Sequence, residues 1–396
     1  MRIFLTLFSF CTVSALGQLR TTDNKQAQTF SNHAPNPVSS ILPAPLGLHT
    51  VFSESAPENN VSSIFKDAKG QLWFGAANGV FKSNFNGELF KCGESICNHD
   101  TQVKHIKYLH NQEITKQFTN VSNGRNLIDF NVNCMSQDAH GVYWIGTQFH
   151  GLCRYDGREM TFYTKQEGLG DNCVNAVLVG TDGTIWVGTS GGVCVSVSNA
   201  SNSSSIKAFT TFKISDGLPS NKVNALIQDH AAQIWVATDN GIAVFSKNRF
   251  VTIQLNGEQI SGKVKTIEQD NTGIIWIGDE KGIIMLDHQN AIRIGRKQGL
   301  KNTRVTVLHK DASGFIWAGV NDEKDRGAGL IKIDISEFKK SVGQVKIKYL
   351  DTPFPQSEIQ SIYETISGEL WIGTSKGVGR FKNGQYHWLV VSMEGC

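Results

Sequence analysis

Asp270-Asn271-Thr272-Gly273-Ile274-Ile275-Trp276-Ile277-Gly278 holds a tight-turn signature, then an apolar strand centred on tryptophan, then a glycine. Asp caps its own backbone in such a turn and Gly accepts its last position. Consecutive apolar residues mark a strand buried on both faces. The same phrase returns around Trp73, Trp144, Trp186, Trp235, Trp317 and Trp371. Trp235, Trp276 and Trp317 follow one another at 41 residues, and Trp144 and Trp186 at 42. A period of this size is one supersecondary unit unable to bury its own hydrophobic face. An antiparallel unit buried on both faces needs like units on either side. That requirement predicts an all-β fold, a seven-bladed β-propeller of four-stranded antiparallel blades.

Aligning the repeats on their Trp extends the pattern. Six residues earlier stands Asp67, Asp138, Asp229, Asp270 or Asp311, with Gly180 and Thr365 in the other two repeats. Twelve residues earlier the residue is always β-branched: Val61, Val132, Val174, Val223, Val264, Val305 and Ile359. Each repeat therefore reads as an inner strand, the Asp-x-x-Gly turn, the Trp strand, a second turn and further strands. The seven Trp residues sit between apolar neighbours, so inter-blade core is the reading for all of them rather than stacking on a ligand.

The ends and the spacings divide the 396 residues. Met1-Arg2, the apolar run from Ile3 to Leu16 and the small residues of Ala15-Leu16-Gly17 form a signal-peptide pattern over residues 1–17. Residues 18–48 form a polar leader carrying Pro35, Pro37, Pro43 and Pro45, and residues 49–396 form the propeller. Trp73 and Trp144 are 71 residues apart, which places an insertion at about 92–128 in blade 1. Blade 6 carries a shorter insertion, from Asn321 to Arg326. The expected location is the periplasm or outside the cell, with no membrane span left after signal cleavage. In an exported protein, Cys92 and Cys97 of the insertion are expected to form a disulfide. A net charge of +3 without a basic stripe argues against nucleic acid as a partner.

No metal or cofactor motif is present: the 11 histidines are scattered and each Asp-x-x-Gly turn offers one carboxylate. Gly188-Thr189-Ser190-Gly191-Gly192 matches a serine nucleophile elbow, but it lies across the Trp strand and its turn, whereas the elbow needs a strand-to-helix turn. The candidate ligand-binding residues are a polar set eleven positions before each Trp: Ser62, Asn133, Asn175, Asn224, Lys265, Thr306 and Gln360. These begin the inner strands, beside the turns that follow each Trp strand, so both groups face one mouth of the channel. The turns add Gln148, His150, Asp239 and Asp279, and Lys222, Lys263 and Arg304 stand just before the inner strands of blades 4 to 6. Blade-to-blade hydrogen bonding is the competing reading for the polar set.

These repeats resemble the two-component-regulator propeller repeats of Bacteroidetes-type bacteria, whose pattern runs roughly D-x-x-G-x-I-W-I-G-T-x-x-G-L. Asp216-Gly217-Leu218-Pro219-Ser220-Asn221 resembles the inter-blade loop of the same family. The resemblance covers about Val51 to Val391 and implies a periplasmic sensor module that binds a ligand, with a glycan as the expected class. In the family such propellers are joined to a spanning helix and a histidine kinase. No kinase or receiver motif follows Trp388-Leu389-Val390-Val391, so kinase activity is not implied here. Two further classes stay open, a propeller-type lyase or hydrolase and an extracytoplasmic protein-interaction scaffold.

Overall fold

The computed structural model describes residues 60–77, 79–82, 131–198, 206–255, 258–260, 262–287, 290–301, 303–321, 328–334, 346–350 and 357–389. The leader, the insertion at about 92–128 and the Cys92–Cys97 pair lie outside the described residues. Seven sheets form a seven-bladed β-propeller, each sheet an antiparallel meander. Blade 2 is typical, with strands Val132–Gln137, Tyr143–Thr147, Leu152–Tyr155 and Met160–Tyr163 in that order from the axis outward. Blade 1 is described over three strands, Val61–Lys66, Leu72–Ala76 and Gly79–Lys82.

Every Trp strand is buried along its whole length, from Leu72–Ala76 in blade 1 to Leu370–Thr374 in blade 7. The core is accordingly not one central mass but seven apolar clusters, one per blade seam. Each Trp belongs to the cluster it shares with the following blade, as Trp276 does with Val305, Leu308 and Ile316. Trp371 closes the circle against Val61, Leu72 and Phe74 of blade 1, its ring 5.5 Å from that of Phe74.

Two sequence features prove to be one contact. A Cβ on Gly188 would lie 2.6 Å from Val223 Cγ1, and on Gly278 2.5 Å from Val305 Cγ1. The glycine two residues after the Trp, replaced by Ala237 in blade 4, is thus the hole into which the β-branched residue of the next blade fits. Overpacking such a site costs roughly 1–3 kcal/mol. Gly278→Ala is expected to lower stability by about that amount. An unchanged denaturation midpoint would mean the blades are farther apart than this fit requires.

The Asp-x-x-Gly turns form as expected: Gly70 N–H donates to Asp67 O at 2.9 Å, with Gly70 at φ 85°. In blade 4, Ala232 takes the same left-handed position at φ 62° without a glycine's freedom. On the opposite face, Gly168-Leu169, Gly217-Leu218 and Gly299-Leu300 each end a single 3-10 turn. Their leucines, at most 4% exposed, anchor the linkers between blades.

Candidate functional site

The inner strands are not regular at their starts. In every blade the register shifts between the residues twelve and ten before the Trp, as between Val264 and Thr266, so the residue between them is an unpaired bulge. A bulge re-aims the side chain it carries. The seven bulge residues are the polar set picked out from the sequence, and all are half-buried.

Most of that set is engaged between blades. Asn133 Nδ2 donates to Val174 O at 3.0 Å, Asn175 Nδ2 to Val223 O at 2.8 Å, and Asn224 Nδ2 to Val264 O at 2.7 Å. Thr306 Oγ1 donates to Ile359 O at 2.6 Å, and Ser62 Oγ donates to Val132 O. In blade 7 the role passes from Gln360 to its neighbour, Ser361 Oγ reaching Val61 O at 3.3 Å. Lys265 has no such bond and no ion pair among the described residues, and in blade 5 the neighbouring Thr266 Oγ1 instead accepts from Leu308 N–H of blade 6 at 3.2 Å.

The turn residues divide as well. Asn131 Nδ2 donates to Gln148 Oε1, holding that side chain beside the inner strand of its own blade. Asp239 accepts from Asn224 at 2.9 Å and lies 3.4 Å from Lys222 Nζ. Asp279 is 2% exposed and takes both its oxygens to Arg293 at 2.8 Å, so its charge is spent within blade 5. Arg304 lies 4.0 Å from Glu358 across the seam to blade 7.

His150 and the exposed Phe149 line a groove of about 910 Å³, with Thr161, Phe162, Gln166 and Asn172. Its wall is Met160–Tyr163, the outermost strand of blade 2, so it opens at the rim rather than over the channel. Its polar groups serve the linker: Glu167 accepts from Thr164 N–H at 2.7 Å and Asn172 from Lys165 N–H at 3.0 Å.

Burial strongly shifts one carboxyl and one imidazole, and it also raises the pKa of Cys134, Cys153 and Tyr143. Burial pushes the Glu268 carboxyl up to about 7 and the His309 imidazole down to about 4. They pair in register with Trp276 and Trp317, which places them in blade seams and not on the open face. Ser190 lies in the turn between Ile185–Thr189 and Gly192–Ser198, without the helix a nucleophile elbow requires. No cluster able to hold a metal ion occurs among the described residues. No described helix is long and apolar enough to cross a membrane.

The bulge has no signature in a single repeat, and this is why sequence reasoning missed it. The signal was available only in the alignment, as a polar residue interrupting the inner strand seven times.

Comparison with known proteins agrees with this architecture. The family described as "Two component regulator propeller" matches residues 55–78, 168–191 and 353–376. No curated protein matches the chain. Among solved structures, the extracellular domain of a protein described as hybrid two component system BT3049 of B. thetaiotaomicron superposes with a TM-score of 0.59 at 21% identity, over 83% of this chain and 40% of that one. The extracellular domain described as one component system BT4673 of the same organism gives 0.58 at 18%, over 82% and 38%. Virginiamycin B lyase of Staphylococcus aureus gives 0.54 at 12%, over 81% and 94%. At these identities the likeness is one of fold, and the chain spans less than half the length of the two extracellular domains. Three segments of the chain thus match the two-component regulator propeller repeat, and the chain as a whole folds as a seven-bladed β-propeller.

Proposed function

We propose that the chain is an exported, sensor-type propeller that binds a small ligand, with a glycan as the first class to test, over the mouth of its central channel. One observation supports this reading: a bulge opens the inner strand of every blade at the same end, and although most bulge side chains latch the next blade, Lys263 and Lys265 there keep polar groups without a partner among the described residues. Only such a concavity offers polar groups from many directions to one molecule. Export is supported by the signal-peptide pattern of residues 1–17 and by the extracellular placement of the two Bacteroides relatives. A protein partner is the second reading, favoured by Phe149 and Ile214, which are 65% and 57% exposed on the turn and linker of this face.

The test is a thermal-shift screen of the chain secreted from a bacterial host, against neutral and acidic oligosaccharides. Intact mass of the same sample should place the mature N-terminus at Gln18. A ligand at about 100 times its Kd should raise Tm by roughly 4 °C for a domain of this size. A panel without any shift, together with a retained residue 1–17 segment in the exported fraction, would count against both parts of the reading.

A further inference from the structure

We infer that the channel mouth over blades 4 to 6 is an oxyanion site, where Lys222, Lys263, Lys265 and Arg304 receive clustered carboxylate, sulfate or phosphate groups of a ligand. This rests on the channel mouth being the binding face. Lys222, Lys263 and Arg304 occupy one repeat position, thirteen residues before the Trp, on three consecutive blades. The same position holds Asn60, Asn131 and Cys173 in blades 1 to 3 and Glu358 in blade 7. The charge is therefore an arc on one side of the mouth.

Acids nearby neutralise only part of it. Asp239 pairs with Lys222 at 3.4 Å and Glu358 with Arg304 at 4.0 Å. Glu280 and Lys281 are exposed together in the blade 5 turn, and Asp279 belongs to Arg293. Lys263 and Lys265 are left without an ion pair or hydrogen bond among the described residues. Half-buried, unpaired ammonium groups destabilise a fold unless something else neutralises them.

Lys265 carries the most weight. Ser62, Asn133, Asn175, Asn224 and Thr306 use its position to latch onto the next blade. Lysine gives up that latch and places a charge at the mouth instead. The adjacent Thr266 takes over the contact to the next blade, accepting from Leu308 N–H at 3.2 Å, so the lysine is spared for another task. A charged residue that breaks the rule of its own repeats marks a functional position. Burial depresses the Lys265 pKa, Lys263, Arg304 and Lys222 push it the same way, and Glu358 opposes them. A bound oxyanion would relieve that repulsion.

Calorimetric titration with trigalacturonate, inorganic tripolyphosphate and neutral galactotriose tests the inference and separates acidic sugars from phosphates. At least one anion should bind more tightly than galactotriose. Its affinity should fall about tenfold or more between about 0.1 M and about 1 M salt, as the screening length drops from roughly 10 Å to roughly 3 Å. Lys265→Asn should weaken anion binding about tenfold or more while its unfolding midpoint holds or rises, because asparagine restores the latch. Lys263→Gln should weaken binding in the same direction. Binding by both variants equal to wild type, or no preference for either anion, overturns the oxyanion site. If galactotriose binds and the anions do not, the oxyanion site falls and the binding face stands. If no probe binds, both fall.

Discussion

Trp276→Ala is expected to lower the stability of the propeller by about 3–5 kcal/mol, the range for removing a large aromatic from a core that cannot collapse around the gap. Trp276 is 0% exposed and belongs to the largest seam cluster, with Met285 and Ile294 of its own blade and Val305, Leu308 and Ile316 of the next. Stacked sheets are held apart by their own hydrogen-bonded ladders, so the lost volume remains as a cavity. The substitution also removes the donor to Asp270 Oδ2, which receives the indole N–H at 2.9 Å. Denaturant unfolding followed by circular dichroism measures the effect. A midpoint equal to wild type would place Trp276 outside the seam.

Asp67→Ala should cost about 3–4 kcal/mol, because it leaves several buried donors without an acceptor at roughly 1–3 kcal/mol each. Asp67 is 5% exposed. Its Oδ1 accepts from the Lys69 and Gln71 amides, both at 2.9 Å, and so shapes the turn. Its Oδ2 accepts from Trp73 Nε1 at 2.8 Å and from the Tyr143 hydroxyl of blade 2 at 2.9 Å. One carboxylate thus joins a turn, a strand and a neighbouring blade. Burial alone would raise its pKa, but the hydrogen bonds from Trp73, Gln71, Tyr143 and Lys69 outweigh burial and hold it below the ordinary 3.8. A depressed folded pKa gives stabilisation that is complete above the unfolded value and lost as pH falls through the folded one. The gap between wild type and Asp67→Ala should therefore be full near neutral pH and narrow below about pH 4. Equal acid sensitivity of the two proteins would show that this carboxylate does not couple proton binding to folding.

The acid–tryptophan pair recurs at 2.7–3.1 Å in the blades with Asp138, Asp229, Asp270 and Asp311. Where Thr365 replaces the acid, Trp371 Nε1 is buried without a hydrogen-bond partner among the described residues. Blade 7 instead buries Glu369, whose carboxylate lies 2.5 Å from the Arg380 guanidinium. In blade 6 the pair gains a cation, Lys332 Nζ standing 3.5 Å from Asp311 and 3.6 Å from the centre of the Phe315 ring. These are variations on one joint, and each blade seam carries its own.

Sequence alone determined the number of blades, the strand order within a repeat and the burial of the Trp strands. Those features rest on local periodicity, which a turn residue or an apolar run expresses whatever surrounds it. The aspartate of each turn was legible as a cap, yet its bond to the indole six residues on was not, since two strands must pair before the atoms meet. Likewise the polar residue at each inner-strand start was visible, but its partner is a carbonyl about one repeat away, on the next blade. Only the closed ring decided which of these residues latch neighbours together, that Asp279 is consumed by Arg293, and that Lys265 carries a charge unpaired among the described residues. The reason is geometric: a repeat encodes its own fold through short-range contacts, while the mouth of the channel exists only once all seven blades stand around it.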